Sequence, residues 1–176
     1  MYLDKNTLEH SISAWENNLT NNNLPEWNNL PEIELYMDQV ITLLTQYLKM
    51  MSNDKIITQS MINNYVKLGI MPAPEKKRYK RVHLAYLIII CFLKQTLNMD
   101  LIRKIIPNPL PEEDVKAIYE SFQRNQKKAF KYVIDQVKMV ALPILQTESE
   151  ERMNDLVTQV AITSNICKVL TEEITK

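Results

Sequence analysis

Apolar residues recur at intervals of three and four along most of the chain, which is the period of an amphipathic α-helix. In the middle of the chain this pattern predicts four helices, over residues 36–50, 59–68, about 82–93 and about 100–106. The run from Leu84 to Leu93 is apolar on every side, so the third of these helices is expected to lie at the centre of a core.

The patterns on either side divide the chain into three sections: 1–35, 36–106 and 107–176. The first holds a weak amphipathic helix followed by turns, and we expect this helical arm to pack on the middle section through Trp27, Leu30 and Ile33. The last section holds two long helical patterns, of which the first ends near Pro143.

The second of those patterns has a mostly apolar stripe that alternates steps of three and four for three heptads. Its members are Met153, Leu156, Val160, Thr163, Cys167, Leu170 and Ile174. Such a stripe predicts a helical hairpin or a coiled-coil seam between two copies of the chain, and a core helix is an equal alternative. A homodimer interface would include Leu156, Val160, Cys167 and Leu170.

Gly69 is the single glycine among 176 residues. This scarcity argues against sheet-rich folds and excludes the glycine-rich loops that cradle phosphate. We therefore predict an all-α protein with at most a short β-wing. Gly69 follows the second helix of the middle section and precedes Pro72 and Pro74, so we expect it to end that helix in a left-handed conformation. Thr58 is the expected N-cap of the same helix.

The formal net charge is zero, but the charges are unevenly distributed. From Lys55 to Lys104 the chain has ten basic and two acidic residues, a balance of +8, and the remainder carries −8. A basic middle between acidic arms is typical of a section that faces a polyanion. The alternative is a solvated basic loop without a partner.

Other candidate chemistry is sparse. Cys91 and Cys167 lie far apart in apolar contexts and are expected to be reduced core thiols, while His10 and His83 are isolated. We find no metal-ligand spacing and no catalytic set, so we expect neither an enzyme nor a cofactor. The longest apolar run has ten residues, whereas a membrane span needs about 20, and no signal pattern begins the chain. A cytoplasmic protein with no membrane contact is expected.

The order helix, glycine stop, basic segment, apolar helix is that of a winged helix-turn-helix. The run Asn64–Pro74, followed by basic residues and Tyr79, resembles the second helix and wing of MerR-type bacterial regulators. Leu35–Val40, Met61–Lys67 and Tyr86–Ile90 more closely resemble a bacterial domain-of-unknown-function family that carries this MerR-like unit.

The resemblance implies that the second helix, about 58–68, enters the major groove of double-stranded DNA and that a basic wing, 76–81, lies on the DNA backbone. The residues on the outer side of that helix, which would face the bases, are Gln59, Ser60, Asn63, Asn64 and Lys67. Those that would face the backbone are Lys76, Lys77, Arg78, Tyr79, Lys80 and Arg81.

Asn63 and Asn64 stand where typical MerR-type chains have arginine and tyrosine, but asparagine can also pair with adenine. Two functions stay open. One is a dimeric DNA-binding regulator of transcription, and the other is a non-catalytic protein-interaction module on the same winged scaffold. The sequence specifies no operator, effector or direction of regulation.

Overall fold

The apolar periods of the sequence form seven α-helices and one 3-10 helix in the computed structural model, which describes residues 5–21, 24–49, 57–147 and 150–175. They are α1 (Lys5–Asn21), the 3-10 helix (Trp27–Asn29), α2 (Met37–Tyr47), α3 (Gln59–Lys67), α4 (Arg81–Leu93), α5 (Met99–Ile105), α6 (Glu112–Thr147) and α7 (Glu150–Ile174). In these residues β structure is limited to two isolated antiparallel bridges, Leu35–Tyr79 and Glu75–Arg78. The mostly helical character is thus as predicted.

The predicted central helix is α4. Every residue from Leu84 to Cys91 is 0% exposed, and α2 packs against both α3 and α4. The one hydroxyl in this stretch is satisfied, because Tyr86 Oη donates to the carbonyl of Pro107 at 2.6 Å. Burying each large apolar side chain contributes roughly 1.5–3 kcal/mol, so α4 is the main apolar contribution to this core.

Both ends of α3 have the expected signals. Thr58 Oγ1 accepts a hydrogen bond from the backbone N–H of Met61 at 3.3 Å, which caps the first turn. At the other end Gly69 has a φ of +66°. Its N–H donates to the carbonyl of Val66 at 3.0 Å, and the N–H of Ile70 donates to that of Tyr65 at 2.9 Å. This pair of bonds is a Schellman motif, so the predicted left-handed stop at Gly69 is confirmed.

The chain forms two compact units, and their limits differ from the predicted sections. One unit is residues 22–126, wider than the predicted 36–106. Leu24, Trp27 and Leu30 are buried in its core, and Tyr119 Oη donates to the carbonyl of Pro25 at 2.8 Å. This hydrogen bond joins residues 94 positions apart on the two flanks, and both flanks share one core with the middle section. No local period reports such packing.

One predicted anchor of the N-terminal arm is wrong. Ile33 is 71% exposed, whereas Trp27 and Leu30 are buried as expected. The structure also divides the predicted 1–35 arm. Residues from 24 onward belong to the unit just described, while α1 belongs to the other unit. Residues 30–34 form bends and no regular element, so no period fixes an inner face and the burial of each residue is decided by what it packs on.

The other unit is formed by residues 1–21 and 127–176, and its helices are α1, the second half of α6, and α7. These three helices line an apolar cavity of about 460 Å³, to which Ile12, Ile134 and Leu156 contribute. Lys138 donates to the carboxylate of Glu16 in the same unit. α6 does not end near Pro143 as predicted but continues to Thr147. A proline removes one helical hydrogen bond, which a long helix can tolerate at a cost of about 3 kcal/mol.

Within the described residues no helix has both the length and the apolar composition needed to cross a membrane.

Candidate nucleic-acid interface

The outer side of α3 is a continuous polar surface. The five side chains predicted to face bases, Gln59, Ser60, Asn63, Asn64 and Lys67, are all exposed. On the opposite side Ile62 and Tyr65 are buried. Because the apolar side of a short helix fixes its rotation about its own axis, these two residues determine which five side chains face outward.

The C-terminal end of α3 is held by two residues from a distant part of the chain. The Arg103 guanidinium donates to the carbonyl of Leu68, and Asn108 Nδ2 donates to that of Gly69 at 3.2 Å. The arginine pairs a carbonyl that the helix end leaves free and places a positive charge at the negative end of the helix dipole, while the asparagine holds the residue that follows the C-cap. Sequence reasoning missed both residues, because separations of 35 and 39 positions leave no local signal.

The basic segment after α3 forms a tight turn at Glu75–Arg78. The N–H of Arg78 donates to the carbonyl of Glu75 at 2.8 Å. The two central residues, Lys76 and Lys77, have φ values of +47° and +63°. Two positive values in succession are the pattern of a type I′ turn, which normally takes asparagine and glycine. Residues with a side chain are strained in this conformation, and such strain is often found at functional sites.

Lys76 and Lys77 are both exposed, and neither has an ion-pair partner among the described residues. Both ammonium groups therefore stand at the tip of the turn, where they can meet an anion from solvent.

Tyr79 is placed differently from its prediction. It is 3% exposed, and its ring packs edge-on against His83 with 5.6 Å between the ring centroids. Its backbone exchanges two hydrogen bonds with Leu35, at 2.8 and 2.9 Å. Burial also raises the pKa of its hydroxyl. The expectation that Tyr79 faces a DNA backbone is thus corrected, because its side chain anchors the basic segment in the core.

His83 fixes the junction between the turn and α4. Its Nδ1 accepts from the backbone N–H of Lys80 at 2.9 Å, and its Nε2 lies 3.4 Å from the carbonyl of Ala73. This arrangement requires a neutral ring with the proton on Nε2. Burial lowers the pKa of His83, which favours the same neutral form.

Two of the remaining basic side chains are paired with carboxylates on the surface. Arg78 lies 3.7 Å from Glu34 and stacks over the Tyr36 ring, with 5.4 Å from the guanidinium carbon to the ring centroid. Lys80 Nζ donates to Glu75 at 3.0 Å. That hydrogen bond and the charge of Glu75 raise the pKa of Lys80. Exposed pairs of this kind add little stability, but each one offsets a positive charge of the segment.

Arg81 is the least available of the basic residues, since its side chain is only 15% exposed. Its Nε donates to the carbonyl of Leu30 at 3.2 Å, and its guanidinium lies over the Trp27 ring and 3.2 Å from Glu32. Arg81 therefore mainly joins the start of α4 to residues 27–32.

Five basic and three acidic side chains meet around this segment, which leaves a local charge of +2. The basic residues are Lys76, Lys77, Arg78, Lys80 and Arg81, and the acidic ones are Glu32, Glu34 and Glu75. No local pattern signalled the contributions of Glu32 and Glu34, which lie more than 40 positions from the arginines they pair with. The charge open to an anion is smaller than the composition suggested, and it belongs to Lys76 and Lys77.

The described residues contain no group of three or more histidine, cysteine or acidic side chains able to hold a metal ion. Cys91 is buried and Cys167 is exposed, so the predicted burial is correct for the first thiol and wrong for the second. Cys167 lies on the part of α7 where the side chains face solvent.

The family described as "Domain of unknown function (DUF1836)" matches residues 25–122. This match covers more than half of the chain and nearly all of the 22–126 unit. The chain therefore belongs to the DUF1836 family. Neither a curated protein nor a solved structure shows significant similarity to it.

Proposed function

We propose that this member of the DUF1836 family is a DNA-binding regulator of transcription built on a MerR-like winged helix-turn-helix. In this proposal α3 enters the major groove and the Glu75–Arg78 turn is the wing, set against the DNA backbone. The observation that carries the proposal is the exposed polar side of α3, on which two adjacent amides, Asn63 and Asn64, lie opposite a buried apolar side.

The five outward side chains of α3 suit the edges of bases. An asparagine or glutamine amide can pair bidentately with adenine, and a lysine can donate to guanine. Helix α3 is nine residues long and is capped at both ends, so these groups are carried on a rigid element. Such rigidity favours base reading, since each side chain then meets a defined position in the groove.

The basic segment has a divided role in this proposal. Lys76 and Lys77 meet phosphates, because they are exposed and carry the uncompensated charge. Arg78 and Lys80 can follow only when phosphate replaces their carboxylate partners. Tyr79 and Arg81 position the segment through their packing and do not contact DNA.

We also propose that two copies of the chain associate through α7. Leu156 is buried, but Val160, Ile166 and Leu170 are about half exposed or more. Exposed apolar side chains along one helix are unfavourable in water and are commonly covered by a second chain. A two-fold dimer would also present two α3 helices to adjacent half-sites of DNA.

A second candidate is a non-catalytic protein-interaction module that keeps the winged scaffold. Two observations favour it: the apolar side chains exposed on α7, and the small net charge of +2 around the turn. In that case α7 binds a different protein and the polar side of α3 has no nucleic-acid partner.

Binding of the full chain to bulk genomic duplex fragments at about 50 mM salt, followed by sequencing of the bound fragments, tests the first proposal. Asn63→Ala or Asn64→Ala should cost about 1–3 kcal/mol on the enriched site and leave non-specific binding nearly unchanged. Asn125→Ala, an exposed asparagine of α6, is the matched control and should change neither.

No binding of the wild-type chain to duplex DNA under these conditions would remove the regulator proposal and favour the interaction module. Light scattering at micromolar concentration tests the dimer separately. A monomer would show that α7 does not pair with a second copy.

A further inference from the structure

We propose that Glu34 acts as an internal competitor of DNA phosphate, that Glu32 adds negative charge beside it, and that the two carboxylates thereby limit the affinity of the basic segment. They belong to residues 30–36, which we name the acidic strap. This inference rests on the proposed DNA-binding function and adds a restraint on it: Glu34 occupies Arg78, a cation that a DNA backbone would otherwise reach.

The strap is held in place at both ends. Leu30 is buried at one end, and Leu35 exchanges two backbone hydrogen bonds with Tyr79 near the other. The N–H of Tyr36 donates to Gln39 Oε1 at 2.9 Å, which joins the strap to the start of α2. The two carboxylates are therefore presented by an ordered segment beside the basic residues.

The two carboxylates differ in what they restrain. Glu34 lies 3.7 Å from Arg78, whose side chain is about half exposed, so a phosphate from solvent can replace it. Glu32 pairs with Arg81, which is also held by the carbonyl of Leu30 and lies over Trp27, so we expect Arg81 to keep its position without the carboxylate. Removal of the Glu34 charge should release a cation for phosphate, whereas removal of the Glu32 charge should only reduce repulsion.

Counterion release makes this difference measurable. Each phosphate that the protein neutralises steepens the dependence of log K on log salt by about 0.9. Between 50 and 200 mM salt, one more neutralised phosphate therefore means an extra loss of affinity of about 3.5-fold.

The test compares the wild-type full chain with Glu34→Gln, Glu32→Gln and the control Glu26→Gln, each titrated with the same duplex DNA at several salt concentrations. Glu26 is exposed and precedes the 3-10 helix, so its substitution removes the same charge nearby. Glutamine preserves the side-chain size, and an exposed ion pair contributes little to stability, so all variants should fold.

Glu34→Gln should raise the affinity at 50 mM salt by about three- to tenfold and steepen the salt slope by about 0.9. Glu32→Gln should raise the affinity by a smaller factor with little change of slope, and Glu26→Gln should resemble the wild type. Adding Arg78→Gln to Glu34→Gln should restore the wild-type slope, because the released cation is then absent.

If the wild-type chain binds DNA but Glu34→Gln leaves the affinity and the salt slope unchanged, or lowers the affinity, the competition is overturned. The proposed function would then still stand. Failure of every variant, including the wild type, to bind duplex DNA would instead remove the proposed function, and the inference with it.

Discussion

The turn at Lys76 and Lys77 allows stability and the proposed affinity for DNA to be changed in opposite directions. Both lysines have positive φ, whereas the preferred residues of a type I′ turn are asparagine and glycine. We therefore consider the double change Lys76→Asn, Lys77→Gly, which replaces two strained residues with two that tolerate the conformation.

The expected increase in stability can be worked from the backbone. A left-handed conformation costs a residue with a side chain roughly 1–2 kcal/mol relative to glycine. Glycine at residue 77 recovers this cost but loses about 0.4–1 kcal/mol through the greater freedom of the unfolded chain. Asparagine tolerates the left-handed conformation better than lysine does, so at residue 76 it should add roughly a few tenths of a kcal/mol to the free energy of unfolding. The free energy of unfolding should thus rise by about 1 kcal/mol.

The expected loss of DNA affinity follows from charge. The substitutions remove both ammonium groups that have no partner among the described residues, and with them the two phosphate contacts proposed above. The salt slope should become shallower by about 1.8. A second variant, Lys76→Gln with Lys77→Gln, removes the same charges but keeps two strained side chains, so it should lose the same DNA affinity without the increase in stability.

Urea unfolding and DNA titration over a range of salt concentrations measure the two effects. An increase of about 1 kcal/mol shifts the urea midpoint by roughly 0.3–1 M. Gln substitution of Lys127 and Lys128, an exposed adjacent pair on α6, is the control for a general loss of two charges.

A variant with asparagine and glycine that is less stable than the wild type would refute the strained turn. An unchanged salt slope in both turn variants would show that these lysines do not meet phosphate.

Three further predictions concern stability and reactivity. Gly69→Val should lower the free energy of unfolding by about 1–2 kcal/mol through backbone strain alone, because a Cβ there would meet no atom within 4 Å. Gly69→Asn should lower it less, since asparagine tolerates the left-handed conformation. Equal losses for the two variants in urea unfolding would contradict backbone strain as the cause. The pKa of His83 is lowered from 6.5 by burial, so the stability it confers is complete above about pH 6.5 and is lost as the pH falls below that value. His83→Gln, which can still accept the N–H of Lys80, should remove that part of the pH dependence measured by thermal unfolding, and an unchanged profile would exclude His83 as its source. Burial raises the pKa of Cys91 to about 11. In a Cys167→Ser variant, which removes the exposed thiol, a thiol reagent should therefore label Cys91 only when the chain unfolds. Rapid labelling of the native chain would show that α4 is not enclosed.

Several features of the fold were determined by the sequence through short-range physical rules. The period of apolar residues predicted α2 to α5 to within a few positions, because a helix buries one side and its spacing records that side. Residue 50, where the first of these helices was expected to end, lies outside the described residues. Thr58 and Gly69 marked the ends of α3, since a cap and a left-handed residue act within a single turn. The apolar run of α4 indicated a central helix, because no side of it is compatible with water.

Only the tertiary structure decided how the basic segment is used. The residues from Lys76 to Arg81 form one basic run in the sequence, yet Tyr79 is buried, Arg81 holds the strap, and Arg78 and Lys80 are paired. These roles depend on Trp27, Glu32 and Glu34, which reach the segment through packing across more than 40 positions. Charge counting along the chain includes the cations but not their distant partners, and for that physical reason it overstated the charge that this segment offers to an anion.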